Sequence, residues 1–142
     1  MHALAYVSKS QMGFDQSSLD MLAERSNRQN YSLGITGYLC YTGELFLQYL
    51  EGPEAEVAGL MERIEDDPRH RVIEVVKLGN IGQRTFPDWS MRYLRKSEWE
   101  RFDFEKLMLD MLEVTRRPHY RQELIQDFII RIVRRISETK SP

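Results

Sequence analysis

Two side chains able to move protons and exchange hydrogen bonds, Tyr6 and Gln48, sit in apolar runs of this sequence: Ala3-Leu4-Ala5-Tyr6-Val7 and Phe46-Leu47-Gln48-Tyr49-Leu50. A phenol can give up an electron and a proton. A carboxamide donates and accepts at once, so turning it over exchanges its two roles. A glutamine inside an apolar strand is costly unless paired. Either Tyr6 and Gln48 satisfy each other as core polar residues, or they act on something bound beside them. Taken by themselves, the two residues leave both readings open.

Other polar residues gather near element ends. Asn30 closes a helix, as a C-cap or as a contact to a ligand. Ser26 shares a helix face with Leu19, Leu22 and Ala23. Arg63 adjoins the apolar stripe residue Ile64, as a surface arginine with a packed stem or as one that reaches inward. Asp67, Arg69 and His70 form the exit Asp67-Pro68-Arg69-His70. Trp89 and Met91 alternate on one strand face, with Ser90 on the other. Cys40, the single cysteine, reads as a small buried residue. Conventional catalysis has little support, and no enzyme is expected. The three histidines, His2, His70 and His119, are scattered, and no zinc-protease, nucleophile-elbow or P-loop pattern occurs. No Gly-x-Gly-x-x-Gly follows a strand, so a Rossmann-type site is not expected.

The elements that must position these residues follow from periodicity. Residues 3–8 alternate as a strand, with Leu4 and Tyr6 on one face and Ala3, Ala5 and Val7 on the other. A helix opens at Ser17 or Ser18 and ends at Asn30 to Gly34. Residues 35–41 and 45–50 are strands joined through Thr42-Gly43, and Gly52-Pro53 breaks the second. Val57, Leu60, Met61 and Ile64 mark a second helix, closed by Asp67-Pro68. Strands at 72–78 and 90–94 follow. The order is βαββαβ plus one strand, an α+β ferredoxin-like sheet with two helices over one face. Ser97 and Glu100 make a capping box for a third helix carrying Phe104, Leu107, Met108, Met111 and Leu112. A fourth bears the wide stripe Leu124, Ile125, Phe128, Ile129, Ile132, Val133 and Ile136. At about 1.5–3 kcal/mol per large side chain, that stripe needs a surface to cover: the free sheet face, a second subunit or an effector.

A length of 142 residues fits one domain with a short appendage, and 42% apolar with 30% charged residues is an ordinary soluble composition. A formal net charge of −2 gives no electrostatic case for nucleic acid or an anionic membrane. From Glu98 to Glu113 there are six acids and two bases, and from Val114 onward seven bases and three acids. Two helices of opposite charge folding back on each other would read this way. The start Met1-His2-Ala3 shows no signal-peptide pattern, no run approaches a membrane span, and the cytoplasm is the expected location.

In order, Tyr6-Val7-Ser8, Asn30 with Gly34-Ile35-Thr36-Gly37, Phe46-Leu47-Gln48 with Leu50-Glu51-Gly52, Asp67 with Arg69-His70, and Phe86 with Trp89-Ser90-Met91 resemble the BLUF family of flavin-binding blue-light sensors over residues 3 to about 95. The resemblance implies a flavin, FAD with FMN as the alternative, held between the two helices over the sheet. It implies that Asn30 bonds the polar edge of the ring and that Arg63 reaches its second carbonyl. Ile35 and Ile64 supply apolar contact, Ser26 lies at the cofactor, and Asp67, Arg69 and His70 lie by the ribityl and phosphate end. Tyr6 and Gln48 become the photoactive pair, with Trp89 and Met91 on the strand that relays the signal. Excitation would let Tyr6 give an electron and then a proton through Gln48, leaving the amide reoriented or as its imidic tautomer. Gln29 and Tyr38 depart from the family pattern. The resemblance divides the chain into a sensor domain, residues 1–96, and a helical extension, 97–142, that packs on the sheet or on a partner. The implied output is a downstream protein effector, with self-association as a further route. The rival readings are a flavin-free ferredoxin-like binding module and a small acylphosphatase-like enzyme; the latter would need an arginine in the loop from Val7 to Phe14, where none occurs.

Overall fold

Alternation of side chains along the first strand sets the whole arrangement. The structure, a computed structural model, describes residues 1–95 and 122–139. Its strands β1 (His2–Ser10), β2 (Thr36–Tyr41), β3 (Leu45–Gly52), β4 (His70–Asn80) and β5 (Ser90–Leu94) form one sheet in the order β4-β1-β3-β2-β5. Pairing is antiparallel except for β5, which adds to β2 in parallel. Helices α1 (Gln16–Leu33) and α2 (Glu54–Glu65) lie over one face, and α3 (Gln122–Thr139) packs on the other. This is the expected ferredoxin-like sheet with a fifth strand and a C-terminal helix. None of the described helices is long and apolar enough to cross a membrane.

Two apolar layers follow from the two-residue period. Leu4 and Tyr6 pack with Leu39, Phe46, Leu50, Val57, Leu60 and Met61 under α1 and α2, the near face. Ala3, Ala5 and Val7 pack with Tyr38, Cys40, Leu47 and Tyr49 on the far face. There Ile129, Ile132, Val133 and Ile136 of α3 close the layer. The central strands are therefore buried on both sides, which is why β3 reads as a nearly unbroken apolar run. For Ile129, Ile132, Val133 and Ile136 the stripe's need for cover is met by the free sheet face. The third helix expected after Ser97 lies outside the described residues, as do the side chains of Leu124, Ile125 and Phe128.

The start of α1 differs from the sequence expectation. Asp15, not Ser17 or Ser18, is the N-cap: its Oδ1 accepts from the Ser18 amide at 2.8 Å, and Ser18 Oγ accepts from the Asp15 amide at 2.9 Å. A carboxylate cap with reciprocal bonding outcompetes a serine hydroxyl two residues later. The helix ends in Gly34 at φ +69°, whose N–H reaches back to the carbonyls of Asn30 and Tyr31. The capping glycine leaves the Asn30 side chain free of that task.

Trp89 and Met91 do not share a face. In the β2–β5 pairing Gly37 stands opposite Ser90 and Tyr38 opposite Arg92, so Met91, at φ +124°, is an extra residue in the strand. A bulge breaks the two-residue alternation. Met91 turns to the near face, and Trp89 packs on the far face beside Phe86 and Tyr38. The bulge sits against Gly37, at φ +151°, whose N–H donates to the Trp89 carbonyl at 2.7 Å. A Cβ on Gly37 would lie 1.8 Å from the Tyr49 carbonyl oxygen. Gly37→Ala is therefore expected to lower stability by at least about 2–3 kcal/mol. Urea unfolding would measure this, and an unchanged midpoint would contradict the close approach.

Candidate functional site

The near face holds a cavity of about 460 Å³ between α1, α2 and the sheet, within the range of about 300–1,000 Å³ usual for small-molecule sites. Its floor is made by β1 and β3, where Tyr6 and Gln48 face each other directly in register. The Tyr6 hydroxyl donates to Gln48 Oε1 at 2.5 Å, and Gln48 Nε2 lies 3.1 Å from Met91 Sδ. Gln48 thus accepts at one end and donates at the other, held between a phenol and a thioether. Burial, then the negative charge of Asp67, pushes the Tyr6 phenol well above its ordinary range. Tyr6 therefore remains a neutral O–H donor at physiological pH.

Asn30 supplies the wall at the end of α1. It is buried, it lines the cavity, and its Nδ2 has no hydrogen-bond partner. Buried amide donors are nearly always paired, so an orphaned one on a cavity wall fits a ligand carbonyl. Apolar side chains, Leu22, Leu39, Phe46, Leu60 and Ile64 among them, close over a space suited to a flat ring. Arg25, Arg63 and Arg69 stand around it with Asp67, a positive excess suited to an anionic tail. These residues fit a flavin.

Of the residues expected at the site, Tyr6, Ser26, Asn30, Gln48, Arg63, Ile64, Asp67, Arg69 and His70 line this cavity. Ile35 does not: it is fully buried in the near-face core just after the α1 cap. Met91 reaches Gln48 from behind the cavity, and Trp89 lies across the sheet. Asp67 and Arg69 bind each other, with Arg69 Nε at 3.0 Å and Nη2 at 2.5 Å from the carboxylate. Those bonds hold the Asp67 carboxyl below its ordinary range.

His70 lines the cavity and is engaged at both ring nitrogens. Its Nε2 donates to the Ile64 carbonyl at 2.8 Å, which fixes the proton there because a carbonyl only accepts. Nδ1 lies 2.6 Å from the buried Ser8 hydroxyl, within hydrogen-bond distance. Both nitrogens strap the end of α2 to β1. Sequence reasoning missed Phe14, Leu39, Phe46 and Arg25 as cavity residues. The two-residue period could have found Phe46 from Gln48, and the pairing of Leu39 with Gln48 could have found Leu39. Phe14 and Arg25 carried no such signal.

The family described as "BLUF: Sensors of blue-light using FAD" matches residues 1–92. Among known proteins, the photoactivated adenylate cyclase subunit beta of Euglena longa is 34% identical over 89 residues, 62% of this chain and 10% of that protein. The chain thus spans about a tenth of the length of that relative. Among solved structures, the dark state of BlrB, a BLUF protein, superimposes with a TM-score of 0.74 at 29% identity, covering 98% of this chain and 96% of that one. Klebsiella pneumoniae BlrP1 with FMN and cyclic diGMP gives a TM-score of 0.60 at 32% identity, covering 91% of this chain and 34% of that one.

Proposed function

This chain belongs to the BLUF family, sensors of blue light that use FAD, and on that footing we propose a blue-light photoreceptor in which Tyr6 and Gln48 convert absorption into a changed hydrogen-bond pattern. The observation that carries this reading is the Tyr6–Gln48 hydrogen bond at the floor of a cavity walled by an unpartnered Asn30 amide. What the chain shares with the cyclases is the sensing part, and it is a sensor rather than an enzyme.

The flavin, when bound, supplies blue-light absorption and an excited ring that is a strong oxidant. Asn30 and Arg63 would hold its polar edge, Ile64 and Leu60 its apolar faces, and Arg69 its phosphate end. Tyr6 is the group beside it that can release an electron and then its phenolic proton. Gln48 Oε1, already accepting from that phenol, takes the proton in relay. When electron and proton return to Tyr6, Gln48 can be left turned over or as its imidic tautomer. Turned over, its donor end faces where its acceptor end was and the bond to Met91 Sδ is lost; as the imidic tautomer, its oxygen donates where it accepted. The signal would leave through β5 and the residues beyond it to a protein partner. Residues 1–96 serve as the sensor and 97–142 as the extension that hands the signal on. We assign FAD as the cofactor, and FMN would occupy the same ring site.

Asn30→Ala tests the placement of the ring. The variant is expected to fold and to retain flavin about ten- to a hundredfold more weakly, the loss of one hydrogen bond of about 1–3 kcal/mol to a buried edge. Flavin content after dialysis measures it. Parent-like occupancy and spectrum would place the ring elsewhere.

A further inference from the structure

We infer that Glu51 and Arg84 form a two-point clamp coupling the strand of Gln48 to the β4–β5 loop, which makes Glu51 a positioning residue for the light response. The inference rests on the photoreceptor reading and names how that same site reaches its output. Glu51 lies three residues beyond Gln48 on β3 and is fully buried. Its two carboxylate oxygens accept from the Thr85 amide at 2.6 and 2.8 Å and from the Phe86 amide at 3.2 and 3.1 Å. The Tyr49 hydroxyl adds a bond at 3.3 Å. Burial holds this carboxyl above its ordinary range, and the Phe86 and Thr85 amides offset part of that rise. The loop's own N–H groups are thus the main partners of the buried carboxyl.

Arg84 makes the second point. Its Nη2 donates to the Gly34 carbonyl at 2.7 Å and its Nη1 to Thr36 Oγ1 at 2.9 Å and the Glu51 carbonyl at 3.3 Å. Gly34 is the residue whose N–H caps the Asn30 carbonyl. The loop is thus tied at once to the strand of Gln48 and to the helix end that carries Asn30. Beyond the clamp, Phe86 stacks on Trp89 with ring centroids 4.9 Å apart. Two residues later Met91 returns to Gln48 through its sulfur. A closed circuit results: Gln48 to Glu51 along β3, Glu51 to Thr85 and Phe86, then Trp89 and Met91 back to Gln48. A turned Gln48 amide that releases Met91 loosens this circuit at its sulfur end, while Glu51 grips the loop's backbone from the strand. Charge-assisted bonds to two amides are directional and reversible, as such a coupling requires.

Residue-resolved hydrogen exchange of the flavin-loaded protein, in the dark and under blue light, tests the clamp. In the parent, light is expected to speed exchange of the Thr85 and Phe86 amides about tenfold. In Glu51→Gln those amides should exchange fast already in the dark, with a light-to-dark ratio near one, while the flavin band still shifts under light. A purely structural Glu51 would lower the melting temperature and leave the ratio as in the parent, which would overturn the proposal. Parent amides indifferent to light would overturn it as well. Should Glu51→Gln fail to fold, Arg84→Gln leaves the carboxylate in place and is expected to reduce the ratio by a smaller factor; an unchanged ratio there counts against the clamp. A parent with no spectral shift would remove the photoreceptor reading itself, and the missing shift identifies that as the step that failed.

Discussion

Tyr6→Phe is expected to keep its flavin and lose the light-induced spectral shift entirely. Only one hydroxyl is removed, so the cavity wall and the ring contacts stay as they are. Gln48 Oε1 loses its partner, which lowers stability by about 1–3 kcal/mol, a fraction of the usual margin of about 5–15 kcal/mol. Phenylalanine has no proton to release and is a far poorer electron donor, so excitation decays without turning the amide. Gln48→Leu should behave alike for the complementary reason. It leaves a donor in place but no group able to exchange acceptor for donor. Dark and illuminated spectra of both variants measure the effect. A normal reversible shift in Tyr6→Phe would assign the donor role to another residue. Trp89 is a poor substitute in this fold, because it lies across the sheet from the cavity.

Ile132→Asp should be the most damaging substitution on the far face. Ile132 is fully buried between α3 and the sheet with Ile129, Val133 and Ile136. At about 1.5–3 kcal/mol each, these four side chains contribute about 6–12 kcal/mol of gross apolar burial, comparable with the whole net stability. An unpaired carboxylate placed there has no partner among its apolar neighbours and drives the helix off the sheet. The uncovered face, bearing Tyr38, Cys40, Leu47 and Tyr49, would then be open to association. The expected outcome is a melting temperature lower by about 10 °C or more, with aggregation or a larger mass in size-exclusion chromatography. A monodisperse protein with parent-like melting would show that α3 does not hold the far face closed.

Much of this arrangement could be read from residue spacing, because period and punctuation are local. The alternation in residues 3–8 separates the two faces correctly, and the stripe at Val57, Leu60, Met61 and Ile64 finds α2. The apolar band from Ile129 to Ile136 demands the cover it receives. The pairing of Tyr6 with Gln48 follows once β1 and β3 are neighbours, since mid-strand residues of adjacent antiparallel strands meet. The cap of α1 was a local misreading, by two or three residues, whereas that of Trp89 and Met91 is non-local. Strict alternation put Trp89 with Met91, and it failed because a bulge opposite Gly37 inserts a residue that no local pattern announces. The resemblance placed His70 by the ribityl and phosphate end, and it does line the cavity; that its nitrogens also reach Ser8 and the Ile64 carbonyl is visible only in the fold. Asn30 was open between helix cap and ligand contact until Gly34 took the cap and left the buried amide facing the cavity.

The central claim is that light changes the hydrogen bonding around a non-covalently held flavin through Tyr6 and Gln48. The most direct measurement is one absorption spectrum of the purified parent protein, taken in the dark and again under blue light. A structured flavin band that moves slightly to the red on illumination and returns in the dark is the expected result. A colourless protein that refuses flavin, or a bound flavin whose band stays in place under light, would contradict it.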